Sequence, residues 1–117
     1  MVILANNRII GKKYEDVASD YLSCQGYKIL ERNYRSRSGE IDIIARDGDY
    51  IVFVEVKYRG NYSYGDPLEA VDLRKQQKIR HTAFTYLYKE KYTENTPVRF
   101  DVIGITDSLI TLIKNAF

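Results

Sequence analysis

The sequence predicts an α/β protein in which helices cover a mixed five-stranded sheet. Three observations support this prediction. An apolar stripe at helical spacing lies near the N-terminus, two β-rich runs flank a tight turn, and a second helical segment separates them from two further β-rich runs. The predicted order is therefore helix, three strands, helix, two strands. A length of 117 residues fits one domain, so we expect residues 1–117 to form a single domain.

The first predicted helix covers about Asn7 to Ser23. Apolar residues share one face of it: Ile10, Tyr14, Val17, Ala18 and Tyr21. Gly26 follows as a helix stop. The next segment, Tyr27 to Tyr34, favours a strand and leads into a run of arginines.

The predicted hairpin consists of Glu40 to Arg46 and Tyr50 to Tyr58, on either side of Asp47-Gly48-Asp49. The second helix is predicted to begin with Asp66 as N-cap, Pro67 as first helical residue and Glu69 as reciprocal capping partner, and to run to about Lys89. The last two strands are predicted at Pro97 to Ile105 and Leu109 to Ile113.

Composition excludes several classes of site. The net charge is only +2, so an argument for nucleic-acid binding depends on local clusters of charge. Cys24 is the only cysteine and His81 the only histidine, which excludes an internal disulfide and argues against a cysteine or histidine metal cluster. The sequence contains no secretory apolar region and no apolar span of ~20 residues. We therefore expect a cytoplasmic protein with no membrane partner.

Acidic residues interrupt the two apolar strands of the predicted hairpin. Alternate residues of a strand share a face. The first strand thus presents Glu40, Asp42 and Ile44 on one face, and Ile41, Ile43 and Ala45 on the other. The second strand presents Ile51, Phe53, Glu55 and Lys57 on one face.

The turn decides whether Asp42 meets Glu55. A two-residue turn at Gly48-Asp49 places Asp42 directly across from Glu55. A turn at Asp47-Gly48 places Asp42 across from Phe53, and Glu55 is then a diagonal neighbour on the same face. A three-residue loop without a bulge puts the two acids on opposite faces. Two of these three registers bring the acids together.

Acids inside such apolar runs need a partner, because burying an uncompensated carboxylate costs several kcal/mol. Mg²⁺ or Mn²⁺ is a natural partner, since these ions bind one or two carboxylates together with substrate phosphate. The ion would polarise a scissile phosphate and lower the pKa of an attacking water. Lys57 could orient that water or offset developing negative charge. The competing interpretation is a half-buried salt bridge between Lys57 and Asp42 or Glu55.

Asp42 followed by Glu55-Val56-Lys57 resembles the PD-(D/E)xK nuclease signature. The chain is also similar, over about residues 11 to 105, to the YraN-like family of small bacterial proteins, which has a predicted nuclease fold. The matching segments in the first half are Gly11-Lys12-Lys13-Tyr14-Glu15, Gly26-Tyr27, Arg32-Asn33, Gly39 to Ala45 and Val52 to Lys57. Those in the second half are Tyr64-Gly65-Asp66-Pro67, Glu69-Ala70-Val71, Lys75-Gln76 and Arg99-Phe100-Asp101.

This resemblance implies a restriction-endonuclease-like domain that hydrolyses phosphodiester bonds in structured or branched DNA. It makes Asp42 and Glu55 the metal ligands and Lys57 the catalytic lysine. Glu15 matches the first-helix glutamate that approaches the site in archaeal Holliday-junction resolvases, which by analogy also suggest a homodimer. Ile41 stands where the signature has proline, and Tyr14 where a glycine is expected. The alternative function is a nucleic-acid-binding module that keeps the fold without catalysis.

Other charged residues are candidates for supporting roles. Glu40 is either a further acid of the site or an edge salt-bridge partner of an arginine. The inward stripe of the second helix is predicted to consist of Leu68, Val71, Ile79 and Ala83, and Lys75 lies in its gap. We therefore expect Lys75, and more weakly Gln76, to contact phosphate or the acidic cluster. The residues predicted to bind the nucleic-acid backbone are Arg32, Arg35, Arg37, Arg59, Arg74 and Lys78. Their competing interpretation is a solvated surface.

Overall fold

The computed structural model describes residues 7–60, 71–107 and 109–117. Its elements in chain order are α1 (Asn7–Cys24), β1 (Lys28–Ser36), β2 (Gly39–Asp47), β3 (Tyr50–Gly60), α2 (Leu73–Lys89), β4 (Val98–Thr106) and β5 (Ile110–Ile113). The predicted order of helices and strands is confirmed. Within the described residues, neither helix is long and apolar enough to cross a membrane.

The five strands form one mixed sheet in the order β1-β2-β3-β4-β5. Strands β1, β2 and β3 pair antiparallel as a meander, and β4 pairs antiparallel with β5. Strands β3 and β4 pair parallel. A parallel pair needs a long crossover connection, and the segment that contains α2 provides it.

The two helices pack on opposite faces of the sheet. The α1 face is built from Ala18, Leu22, Ile43, Ala45, Val52, Val54, Ile103 and Ile105. The α2 face is built from Ile41, Ile44, Ile51, Phe53, Val71, Ile79, Ala83, Tyr86 and Val102. Because β3 is covered on both faces, its residues from Ile51 to Val54 are all buried. The charged residues that follow them therefore enter a mostly apolar layer.

The β2–β3 hairpin has the register that brings the acids together. Asp47 pairs with Tyr50 and Ile43 pairs with Val54, so the turn consists of Gly48 and Asp49. Gly48 has a φ of +61°, the left-handed conformation that such two-residue turns require. Continued by one step, this register sets Asp42 opposite Glu55.

The predicted alternation of β2 is wrong at Ile41. Ile41 packs on the α2 face with Ile44, whereas Ile43 packs on the α1 face. The cause lies in the neighbouring strand, where Asn33 has a φ of +53° and interrupts the β1–β2 pairing between Arg32↔Ile43 and Tyr34↔Ile41. A left-handed residue inside a strand reorients the side chains that follow it. Asp42 lies where the orientation of β2 changes.

Helix α2 begins later than predicted. Asp72 is its N-cap: its backbone is extended, with φ −72° and ψ 175°, and its carboxylate accepts the Lys75 N–H at 2.8 Å. An extended residue here excludes one continuous helix from Asp66 to Lys89. The predicted start at Asp66, Pro67 and Glu69 itself lies outside the described residues, as does Leu68 of the predicted stripe.

Candidate active site

The candidate site is centred on Asp42 of β2 and Glu55 of β3. Glu55 is buried, with 5% of its surface exposed. The Oδ2 atom of Asp42 accepts a hydrogen bond from the Val56 N–H at 2.8 Å, and the two carboxyl groups also hydrogen-bond to each other. The Asp42 side chain thus bonds to the β3 backbone beyond the last regular β2–β3 pair, Ile43↔Val54. This contact holds the two carboxyl groups together.

The surroundings of Asp42 change its titration. Burial, and after it the charge of Glu55, raises the pKa of Asp42 to about 8, although the hydrogen bond from Val56 opposes the shift. The charge of Glu15 on α1 adds to the increase. A carboxyl group that resists ionisation beside a second one attracts either a proton or a cation. Ionisation of Asp42 would therefore place a second negative charge beside Glu55.

Two lysines converge on Glu55. The Nζ atoms of Lys57 and Lys75 each lie 3.3 Å from Glu55 Oε2. Lys57 comes from the same strand, two residues further on, and Lys75 comes from the first turn of α2. Lys75 does reach the acidic cluster, as its position in the inward stripe predicted. Lys57 forms the half-buried ion pair of the competing interpretation, so its geometry alone does not separate the two roles.

Glu15 approaches the acids from α1. Burial raises the pKa of Glu15, while a hydrogen bond with the Asn33 side chain and the charge of Arg32 lower it. The interactions with Asp42 and Asn33 show that this half-buried helix residue faces the sheet. The structure thus brings together Glu15, Asp42, Glu55, Lys57 and Lys75.

Asn33 belongs to this site but was not singled out from the sequence. It lies on β1 between the two pairs that flank Asp42, and its side chain hydrogen-bonds to Glu15. Asn is among the few residues other than Gly that adopt a positive φ readily. An Asn inside a β-rich run was the available signal for an irregularity at this point.

Four of the residues predicted to support the site or to bind nucleic acid lie in other contacts. Glu40 forms an exposed ion pair with Arg35 at 3.1 Å, which is the edge salt bridge of the alternative interpretation. Arg32 pairs with Asp16 of α1 at 2.6 Å. Gln76 donates from Nε2 to the Val71 carbonyl at 3.0 Å, so it stabilises the start of α2.

The other predicted backbone-binding residues are exposed: Arg37, Arg59, Arg74 and Lys78. Arg37 lies in the β1–β2 turn, and Arg59 lies near the end of β3. Arg74 and Lys78 line a groove of about 360 Å³ together with Asp72 and Lys75. That groove connects the basic surface of α2 to the lysine that contacts Glu55.

The donor chemistry of the acid pair fits Mg²⁺ or Mn²⁺. Both ions prefer carboxylate oxygens and complete their coordination with water or phosphate oxygen, so a pair of carboxylates is sufficient on the protein side. No cluster of three or more His, Cys, Asp or Glu suited to metal binding occurs in residues 7–60, 71–107 and 109–117.

A second polar cluster is centred on Asp101 of β4, which pairs with Val54 of β3. Asp101, fully buried, accepts hydrogen bonds from Arg99 and from the Tyr27 hydroxyl at 2.8–2.9 Å. Arg99 also donates to Asp47 at 2.8 Å. Hydrogen bonding by Arg99 lowers the pKa of Asp47. The buried charge is compensated within the cluster, which joins β2, β4 and the start of β1 and gives this network a structural role.

Three tyrosines close to Arg59 in the sequence are candidates either for stacking on bases or for packing a loop: Tyr58, Tyr62 and Tyr64. Tyr58 stacks on Tyr14 with ring centroids 3.7 Å apart, and its hydroxyl donates to Asp107 at 2.5 Å. Tyr58 therefore packs α1 against the sheet. Tyr62 and Tyr64 lie outside the described residues.

The fold and the site define a mixed α/β protein with a buried acid pair and two lysines where strands β2 and β3 diverge. The chain belongs to the uncharacterised protein family UPF0102, whose sequence pattern matches residues 14–105. It is 53% identical over 112 residues to a UPF0102 protein of Lachnoclostridium phytofermentans, covering 96% of this chain and 95% of the relative. A UPF0102 protein of Thermodesulfovibrio yellowstonii is 50% identical over 110 residues, with 92% and 95% covered. The predicted YraN-like family is thereby confirmed.

Proposed function

We propose that this protein is a metal-dependent endonuclease that hydrolyses phosphodiester bonds in structured or branched DNA. The observation that carries the proposal is the contact between Asp42 and buried Glu55, with Lys57 beside them. This arrangement agrees with the resemblance to PD-(D/E)xK nucleases. The proposal includes a restriction-endonuclease-like core similar to that of archaeal Holliday-junction resolvases, one domain over residues 1–117 and a cytoplasmic location.

Asp42 and Glu55 would hold Mg²⁺ or Mn²⁺. When bound, the ion supplies Lewis-acid polarisation of the phosphate and a lower pKa for an attacking water. Because the pKa of Asp42 is raised to about 8, cation binding near neutral pH must displace a proton from the pair. Glu15 would add negative charge from α1 and strengthen the attraction for the cation.

Lys57 would act on the substrate. Its side chain is 29% exposed while its Nζ stays within 3.3 Å of Glu55, so it faces both the acid pair and the solvent from which a phosphate would arrive. In that position the ammonium group can donate to a water or a phosphate oxygen and offset the charge that develops there. Lys75 would continue to neutralise Glu55 when Lys57 turns to the substrate.

Nucleic-acid binding is proposed for the basic residues around the site. Arg37, Arg59, Arg74 and Lys78 are exposed and suited to contact phosphates without reading sequence. Arg32 and Arg35 would contribute only by exchanging their present carboxylate partners for phosphates. The homodimer expected by analogy with junction-cutting enzymes stays a prediction.

The second candidate function is a nucleic-acid-binding module without catalysis. The ion pairs of Glu55 with two lysines favour it, because they balance the Glu55 charge without a metal ion. Such a module would bind nucleic acid with a salt-dependent affinity that is indifferent to divalent metal.

A cleavage panel separates the two functions. Labelled DNA and RNA would be offered as single strands, duplexes, flaps and four-way junctions, in Mn²⁺, Mg²⁺ or EDTA. We expect metal-dependent cutting of a branched DNA by the wild-type protein and by Glu94→Gln, an exposed acid in the turn that precedes β4. Asp42→Asn, purified in parallel, should not cut. Equal cutting by Asp42→Asn would show a contaminating nuclease, and binding without cutting would support the module.

A further inference from the structure

All the charged residues of helix α2 are basic. Its 17 residues include five lysines and arginines and no aspartate or glutamate. The buried side of the helix consists of Ile79, Thr82, Ala83 and Tyr86. The opposite side consists of exposed residues at spacings of three and four, which we call the outer ridge: Arg74, Gln77, Lys78, His81, Phe84 and Tyr88.

The outer ridge ends in two exposed aromatic rings. Phe84 is 68% exposed and Tyr88 is 85% exposed, and a separation of four residues makes them neighbours on the helix surface. Single exposed apolar side chains are common on protein surfaces. Phe84 and Tyr88, in contrast, lie next to each other and follow the basic residues of the ridge. The two rings can stack on a ligand that the basic side chains attract.

We propose that the outer ridge of α2 binds single-stranded nucleic acid. Arg74 and Lys78 would contact phosphates, and Phe84 and Tyr88 would stack on unpaired bases. The ridge from Arg74 to Tyr88 is about 21 Å long at 1.5 Å per residue, which accommodates several nucleotides. This inference deepens the proposed function, on which it rests for the class of ligand: it gives the substrate a single-stranded segment beside the site.

The direction of the ridge connects it to the acid pair. Its basic end lies at the first turn of α2, next to Lys75, whose Nζ is 3.3 Å from Glu55. Its aromatic end lies near the C-terminal end of the helix. A strand on the ridge would therefore lead away from the acid pair, as the single-stranded arm of a flap or fork does.

A crevice beside Phe84 offers a place for a base edge. It has a volume of about 290 Å³ and is lined by residues that include Arg80, Phe84, Leu87 and Phe100. The Arg80 guanidinium lies 4.7 Å from the centre of the Phe100 ring, so a cation and an aromatic surface meet there.

A second copy of this chain fits the ridge less well, because two surfaces without acidic residues would repel each other.

The test measures binding in EDTA, so that neither metal nor cleavage contributes. Fluorescence anisotropy would compare a single strand, a duplex with a single-stranded tail and a blunt duplex, each made as DNA and as RNA. For the combined Phe84→Ser and Tyr88→Ser variant we expect affinity for the single strand and the tailed duplex to fall at least about tenfold, and affinity for the blunt duplex to change less than about twofold. Leu109→Ser, which removes a 63% exposed apolar side chain outside α2, is the matched control and should bind as wild type.

The charge contribution is tested separately. Arg74→Gln with Lys78→Gln should weaken binding to every ligand and flatten the dependence of log affinity on log salt by about 0.7 for each cation on single strands. Circular dichroism would check that each variant is folded.

Two results would overturn the inference: wild-type protein that does not bind single strands, or an aromatic variant that binds them as well as wild type, including one that loses self-association instead. Failure of the nuclease proposal would instead appear as missing metal-dependent cleavage with this binding intact.

Discussion

The ammonium group of Lys75 lies 3.3 Å from the carboxylate of Glu55, which links the first turn of α2 to the buried strand β3. Glu55 is shared with Lys57 at the same distance. Two cations on one buried carboxylate mean that either lysine can be removed without leaving Glu55 uncompensated. This redundancy allows catalytic and structural roles of the lysines to be separated by substitution.

Lys57→Ala should lose activity with little loss of stability. Because Lys75 still pairs with Glu55, we expect the free energy of unfolding to fall by only about 1 kcal/mol. Cleavage should fall by about 10²-fold or more, since a donor to developing negative charge is lost. Urea denaturation and single-turnover cleavage measure the two effects, with Lys75→Ala as the paired variant. A large loss of stability in Lys57→Ala would instead favour the purely structural role.

Stability should depend on pH through Asp42. Its pKa is about 8 in the folded protein and close to 3.8 when unfolded, so between these values the folded state holds a proton that the unfolded state releases. The free energy of unfolding should therefore fall as pH rises through this window and level off above about pH 8. Asp42→Asn should remove much of this dependence and be more stable than wild type at pH 9 by at least about 1 kcal/mol. Urea titrations at several pH values would test this, and parallel pH curves for the two proteins would refute it.

The backbone and the side chain of Asn33 make contributions that two substitutions can distinguish. Asn33→Ala must adopt the positive φ at a cost of about 1–2 kcal/mol, whereas Asn33→Gly adopts it freely. We expect the Ala variant to be less stable than the Gly variant. Both should cleave more slowly than wild type, because the hydrogen bond to Glu15 is lost. Thermal unfolding and cleavage rates distinguish these effects; a Gly variant with full activity would remove Asn33 from the site.

The start of α2 should depend on Asp72. Asp72→Ala removes the acceptor for the Lys75 N–H and should cost about 0.5–2 kcal/mol. Asp72→Ser keeps an N-cap oxygen and should restore most of the loss. Chemical denaturation of the two variants provides the comparison. Equal stability of Asp72→Ala and wild type would contradict the assigned N-cap.

The hairpin and its acids could be predicted from sequence because their signals are local. Gly48 with flanking apolar runs indicates the hairpin, and two of the three registers it allows bring Asp42 and Glu55 together. The observed pairing is the one that continues to Asp42 opposite Glu55. The polar contact of Lys75 was also predictable, since a lysine at an inward helical position needs a polar partner. Its particular partner depends on how α2 packs on the sheet, which no short segment specifies.

The predictions from sequence are wrong where two local signals compete or where tertiary structure determines the local conformation. Asp66 and Asp72 both precede residues suited to a helix, and only the extended backbone of Asp72 shows which one caps α2. Ile41 breaks the strand alternation because of Asn33, which lies eight positions earlier on the neighbouring strand. A period-two pattern contains no information about a left-handed residue across the sheet.

Mn²⁺ binding by calorimetry at pH 7, in buffers of different ionisation enthalpy, tests the assignment of the acid pair most directly. We predict that wild-type protein and Glu94→Gln bind Mn²⁺ and release a proton, because the pKa of Asp42 lies above the pH of the experiment. Asp42→Asn should lose most of the affinity and the proton release. No binding by wild type, or equal binding by Asp42→Asn, would contradict a metal site at Asp42 and Glu55.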